Sequence, residues 1–158
     1  MSNDIDWSTG CLSFESWRRA LILEGAPQTQ FITLIELDRL GAFMDVRGLP
    51  MGDAAVRLVG SLALLHASSV TASSAVFRVS HSTFAVHWAA PNLLDVVRRV
   101  EALRMAVQAT ATGISVTLTT TVLLPGEPHD VLLRRLYALQ QAEHSSLTEG
   151  IFLDPSTQ

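Results

Sequence analysis

No lysine occurs anywhere in the 158-residue chain; all 11 of its basic residues are arginine. Chemistry that depends on a slim ammonium on a flexible stem therefore has no donor, whereas bidentate guanidinium contacts to oxyanions stay open. Codon bias in a GC-rich genome accounts for the same composition. A single cysteine, Cys11, excludes an internal disulfide and fits a cytoplasmic home. Apolar residues make up 48% of the chain and mean hydropathy is +0.31. No apolar run approaches the ~18 residues of a membrane span. The opening MSNDIDWSTG lacks the basic-then-apolar order of a secretory signal. A formal net charge of -4 offers no basic surface for nucleic acid.

What is present is enough for one domain with its own core, residues 1–158, with that core at about 6–153. No repeat, low-complexity tract or linker interrupts it, only short loops around Pro27, Pro50, Pro91 and Pro125–Pro128. Phe14, Trp17 and Leu21 recur at helical spacing over Phe14–Leu23, with Ser13 as N-cap. Phe31–Glu36 is short, apolar and partly β-branched, as a buried strand requires. A short helix is expected over Leu40–Val46. Gly48 and Pro50 then break the chain before a longer helix at about Gly52–Ala67. Val76–Val79 and Phe84–Trp88 read as a hairpin around Ser80-His81-Ser82-Thr83. Asn92 caps a helix running to about Ala109, with Leu93, Val96, Val97, Val100, Leu103 and Val107 on one face. Ile114–Leu124 alternates hydroxyls with aliphatics as a strand, Val131–Ala142 is an amphipathic helix, and Ile151–Leu153 is a last strand. This order implies an α+β sandwich, a mixed central sheet flanked by helices.

Several segments, taken in order, resemble the GGDEF (diguanylate cyclase-type) domain. Asp6-Trp7-Ser8-Thr9-Gly10-Cys11-Leu12 is similar to the D-x-L-T-G-L opening of that family. Leu34-Ile35-Glu36-Leu37-Asp38 resembles the D-I-D end of its first strand, and Gly48-Leu49-Pro50-Met51-Gly52-Asp53 its G-H-x-x-G-D turn. Phe77-Arg78-Val79-Ser80-His81-Ser82-Thr83-Phe84 stands where R-Y-G-G-D-E-F would be, and Leu136-Tyr137 matches the L-Y of the last helix. The resemblance implies a palm-like sheet with a ferredoxin-like core, in a family that condenses two GTP molecules into cyclic di-GMP.

It also implies which residues the chemistry would need. Carboxylates must hold Mg²⁺ against a triphosphate and help to activate a hydroxyl. The resemblance places them at Glu36, one methylene longer than the family's Asp, at Asp38, and at Ser82 and Thr83, which carry no charge. Ser80 and His81 replace the glycines of the signature, where positive φ costs a side-chain-bearing residue of order ~1 kcal/mol. The family's triphosphate lysines fall on Gly41 and Gln140, and its guanine-binding Asn on Met44. Asp53 keeps the second guanine contact, although an acid at a helix start is favoured by the dipole alone. The product-inhibition motif R-x-x-D aligns with Thr71-Ala72-Ser73-Ser74 and is absent. Missing transition-state charges cost ~3–4 kcal/mol apiece and are not additive, so the expectation is no cyclase activity and no cofactor beyond weak Mg²⁺ binding at Glu36 and Asp38.

Other chemistries compete less well. Ser80, His81, Ser82 and Asp38 lack any spacing for an oxyanion hole, so a polar turn is the simpler reading. His81 and His87 share strand parity and with Glu36 form a conceivable zinc set. Arg78 reads as a solvated strand residue, and Trp7, Trp17 and Trp88 as packing. The functional expectation is an inactive, cytoplasmic GGDEF-like module. It would regulate cyclic di-GMP-type bacterial signalling by docking onto a GGDEF, EAL, HD-GYP or receiver-containing protein, or onto a second copy of itself. The alternatives are a GTP-binding sensor without turnover and a residual cyclase.

Overall fold

The computed structural model describes residues 4–20, 29–68, 75–124, 126–144 and 151–153. Its elements follow the order α1 (Phe14–Ala20), β1 (Thr29–Leu37), α2 (Leu40–Arg47), α3 (Leu49–Ser68), β2 (Ala75–Ser80), β3 (Thr83–Ala90), α4 (Leu93–Gln108), β4 (Val116–Val122), α5 (His129–His144) and β5 (Ile151–Leu153). The strands form one sheet in the order β2-β3-β1-β4-β5. Neighbours among the first four are antiparallel, and β4 and β5 run parallel. From β1 to β4 this is the βαββαβ arrangement of a ferredoxin-like core.

The near-continuous apolar run of β1 follows from its central place, because both of its faces are covered. Side chains alternate across a strand. Phe31, Ile35 and Leu37 thus pack with Val56, Val59 and Ala63 of α3 and with Val96, Val100 and Leu103 of α4. Ile32 and Leu34 face the other way, against Trp17 of α1 and Leu132 and Leu136 of α5. Each such aliphatic side chain contributes roughly 1.5–3 kcal/mol by leaving water. Three polar groups inside the layers pair with one another: Trp88 Nε1 donates to Thr33 Oγ1 at 2.9 Å, and that hydroxyl lies 2.8 Å from Thr120 Oγ1.

Both expected caps are present. Ser13 Oγ accepts from Ser16 N–H at 3.2 Å, and Asn92 Oδ1 from Asp95 N–H at 3.0 Å. The expected break is present at Gly48, but the longer helix starts three residues earlier than Gly52. Gly48 alone ends α2, at φ 89, and α3 starts at Leu49 with Pro50 in its first turn, where a missing N–H costs nothing. The β4 strand is shorter than Ile114–Leu124, and Phe14 lies on an exposed rim while Trp17 is buried. Residues 21–23 of the first expected helix lie outside the described residues.

Candidate functional site

The central strand delivers its two acids to one end of the sheet. Glu36 is paired across the ladder with Thr83 on one side and with Thr117 on the other. Leu37 N–H donates to Ser82 O at 2.9 Å, and Asp38 N–H to Ser115 O at 2.9 Å. Directly opposed residues hold their Cβ atoms ~4.5–5.5 Å apart, so the positions of the four expected site residues Glu36, Asp38, Ser82 and Thr83 do converge. Thr83 is buried and Glu36 half-buried. Asp38 is engaged at both carboxylate oxygens: Oδ1 accepts from Thr117 Oγ1 at 2.7 Å and Oδ2 from Ser115 Oγ at 3.1 Å. Those two hydroxyl partners were not singled out from sequence, although the alternating hydroxyls of β4 were their only signal.

The hairpin between β2 and β3 is rebuilt without glycine. None of Ser80, His81, Ser82 or Thr83 has positive φ, so the expected strain is absent. The ladder instead shifts register between Arg78 and Ser80, and Ser80 pairs directly with Thr83 across a two-residue turn. Such an irregularity re-aims the strand end and takes up what glycine would otherwise supply.

Arg78 is not a solvated strand residue. Its Nη1 donates to Asp6 Oδ2 at 2.8 Å and to Ser8 Oγ at 2.5 Å, and its Nε and Nη2 reach the Ser80 and His81 carbonyls at 3.2 Å each. The guanidinium thereby fastens the turn at residues 6–10 to the hairpin turn. Asp6 also accepts from Thr9 Oγ1 at 2.8 Å and from Ser8. Partial burial pushes the Asp6 carboxyl up, but the hydrogen bonds from Arg78, Thr9 and Ser8 outweigh it and hold the group at about 2. An Asp followed by Ser and Thr two and three positions on is the sequence signal for this turn.

At the corner of α2 and α3 the side chain of Met44 occupies the space over Gly52. A Cβ added at Gly52 would overlap Met44 Cγ and Sδ. Asp53 is exposed, and it lies a full turn inside α3 rather than at its start. Gly41 faces open space. Gln140 is buried, with neither amide atom hydrogen-bonded, on the helix that packs against β4. The segment Thr71–Ser74 lies outside the described residues.

The two histidines are not brought together. His81 is exposed at the turn, whereas His87 is buried beside Trp17. Among the described residues no group of three or more His, Cys, Asp or Glu side chains is placed to hold a metal ion. Octahedral Mg²⁺ asks for several oxygen ligands of near-ideal geometry. The described donors at this sheet end, two carboxylates with one already bonded by two hydroxyls, do not fit a two-metal centre.

No protein-family model and no curated protein matches the chain. Solved structures do. The GGDEF domain of DgcB from Caulobacter crescentus, in complex with c-di-GMP, superposes with a TM-score of 0.83 at 18% identity, covering 97% of this chain and 94% of that one. The fold is that of GGDEF domains. Diguanylate cyclase SiaD from Pseudomonas aeruginosa, in complex with its activator SiaC, matches with a TM-score of 0.83 at 15% identity, over 95% of this chain and 61% of that one. LapD of Vibrio cholerae, an S helix-GGDEF-EAL chain bound to c-di-GMP, matches with a TM-score of 0.75 at 12% identity, over 99% of this chain and 38% of that one. The GGDEF-like fold is thus one that occurs in cyclic di-GMP signalling proteins. No described helix is long and apolar enough to cross a membrane.

Proposed function

We propose that this chain is a catalytically inactive GGDEF-like domain that acts as a protein-interaction or regulatory module in cyclic di-GMP-type bacterial signalling. The observation that carries the reading is the pairing of Glu36 with uncharged Thr83, at the sheet end where Asp38 is already bonded by Ser115 and Thr117. Two metal ions and a triphosphate bring more charge than two strand-end carboxylates balance, and no lysine exists to meet the phosphates. Met44 over Gly52 also fills the corner where the family resemblance puts the guanine contact. A framework kept intact around such a site suits a domain that works by contact.

The similarity to SiaD, which binds an activator, and to LapD, in which the fold adjoins an EAL domain, supports another signalling protein as partner. A GGDEF, EAL, HD-GYP or receiver-containing protein is the expected class, or a second copy of this chain. Trp7, 89% exposed on the turn that Arg78 fastens, offers an aromatic anchor of the kind that dominates interfaces.

Incubation of the purified protein with GTP and Mg²⁺ or Mn²⁺, followed by chromatography, tests the reading, together with calorimetry using GTP, GDP and cyclic di-GMP. The expected result is no cyclic dinucleotide and no heat. Steady product formation overturns it, and GTP binding without turnover replaces it with a nucleotide sensor.

A further inference from the structure

Six of the arginines, Arg18, Arg19, Arg78, Arg104, Arg134 and Arg135, form ion pairs with carboxylates. Arg39 and Arg47 form none among the described residues, yet both line one cavity of about 350 Å³ between α2 and the loop that enters β4. This volume falls in the range of small-molecule sites, roughly 300–1,000 Å³. Phe43, Val46 and Ile114 supply its apolar wall. Glu36, Ser82, Thr83 and Asp53 do not line it.

Two backbone features border the arginines. Arg39 adopts φ 53 and ψ 38 and is the one side-chain-bearing residue with positive φ among those described. A left-handed arginine costs about 1 kcal/mol and fixes where its side chain departs; strain of this kind persists where the surroundings over-determine it. Across the cavity Gly113, at φ 75, has no Cβ, and the position a Cβ would take lies 4.0 Å from Arg47 Nη2. That is an ordinary van der Waals distance, so the arginine lies along this wall of the cavity.

The charge on the walls decides the class of ligand. Arg39 and Arg47 contribute two positive charges and Asp38 one negative, leaving one positive. The Asp38 carboxylate accepts one hydroxyl at each oxygen, from Ser115 and Thr117, and forms no ion pair with either arginine among the described residues. Two planar forks with no carboxylate to hold, beside an aromatic and aliphatic wall, match an oxyanion carried on a small apolar body. We infer that the α2 cavity is a binding site for a small phosphate- or carboxylate-bearing molecule, bordering the sheet end through Asp38 and Ser115 but not lined by Glu36 or Thr83. The inference stands whether or not the domain turns over GTP.

Calorimetry with phenyl phosphate, benzoate and inorganic phosphate tests it. Phenyl phosphate or benzoate is expected to bind, more tightly than inorganic phosphate because of the apolar wall. Arg39→Gln and Arg47→Gln should each weaken binding about tenfold or more, as loss of a charge-assisted contact does. Arg57→Gln, which alters an exposed arginine of α3 that does not line the cavity, should change it less than about twofold, the size expected of an unrelated surface charge. Binding of benzoate alone identifies the oxyanion as a carboxylate, and binding of phenyl phosphate identifies it as a phosphate. No binding of either overturns the inference, and so does an equal loss in the Arg57→Gln protein. Melting temperatures recorded for each variant separate loss of the site from loss of the fold.

Discussion

Trp17 Nε1 donates to His87 Nε2 at 2.7 Å, and both rings are buried. This bond joins α1 to the middle of the sheet, with Phe77 packed 5.0 Å from the imidazole, centroid to centroid. The accepting nitrogen must be unprotonated, which assigns the neutral imidazole. Trp17→Phe removes the donor and leaves a void beside a buried acceptor. The expected cost is about 3 kcal/mol in urea unfolding. Trp7→Phe, at the most exposed tryptophan, should cost no more than about 0.5 kcal/mol. Equal effects in the two proteins would show that α1 is not anchored through this pair.

The Asp6–Arg78 pair predicts an acid-sensitive component of stability. Asp6 is held at about 2, below its ordinary 3.8, so the folded state keeps this carboxylate charged after the unfolded chain has taken up its proton. The contribution is fully present above about pH 4 and is lost as the pH falls towards 2. After allowance for solvent screening at a partly exposed site it amounts to about 1 kcal/mol. Stability curves for the native protein and for Asp6→Asn should converge over that window and run parallel above it. Curves that stay parallel from pH 5 to pH 2 would exclude the clamp as the cause.

Gly52 and Met44 predict a coupling whose sign depends on background. Alanine is the better helix former by about 1 kcal/mol, but a Cβ at Gly52 meets the Met44 side chain. Gly52→Ala should therefore cost about 1 kcal/mol in the native protein, the usual size of overpacking. In a Met44→Ala background it should stabilise by a similar amount. A double-mutant cycle by thermal unfolding measures the difference, and additivity would mean that the two residues do not share the space.

How much of this was legible in sequence depends on the range of the interactions. Periodicity and caps placed the helices and strands within a few residues, because Ser13, Asn92 and the apolar run of β1 act locally. The same local logic misplaced the start of α3: Gly48 and Pro50 look like a double break, yet a proline is welcome in a first helical turn. The meeting of Glu36 with Thr83 followed from the family resemblance. The hydroxyls on Asp38 and the reach of Arg78 to Asp6 did not, since they span 77 or 79 and 72 positions of chain and only the ladder brings them together. The hairpin turn was expected to be strained by side chains at glycine positions. A shift in register removes the need for positive φ, and composition carries no trace of that solution.

The Glu36–Thr83 pairing gives the most direct test of why this sheet end is short of charge. Thr83→Glu places a second carboxylate opposite Glu36, at a position that is 2% exposed. Like charges directly across a ladder are destabilising, and a carboxylate moved out of water without a partner adds to the cost. The variant should lose about 2–3 kcal/mol at neutral pH. A divalent cation that bridges two carboxylates binds the folded state alone and returns stability by mass action. Millimolar Mn²⁺ should therefore raise the melting temperature of Thr83→Glu by several degrees, roughly what 1–2 kcal/mol gives a domain of this size. The native protein, with threonine at that position, should not respond. A native melting temperature that rises with Mn²⁺ as far as the variant's would show that Glu36 and Asp38 already hold a metal. The charge deficit on which the inactive reading rests would then be gone.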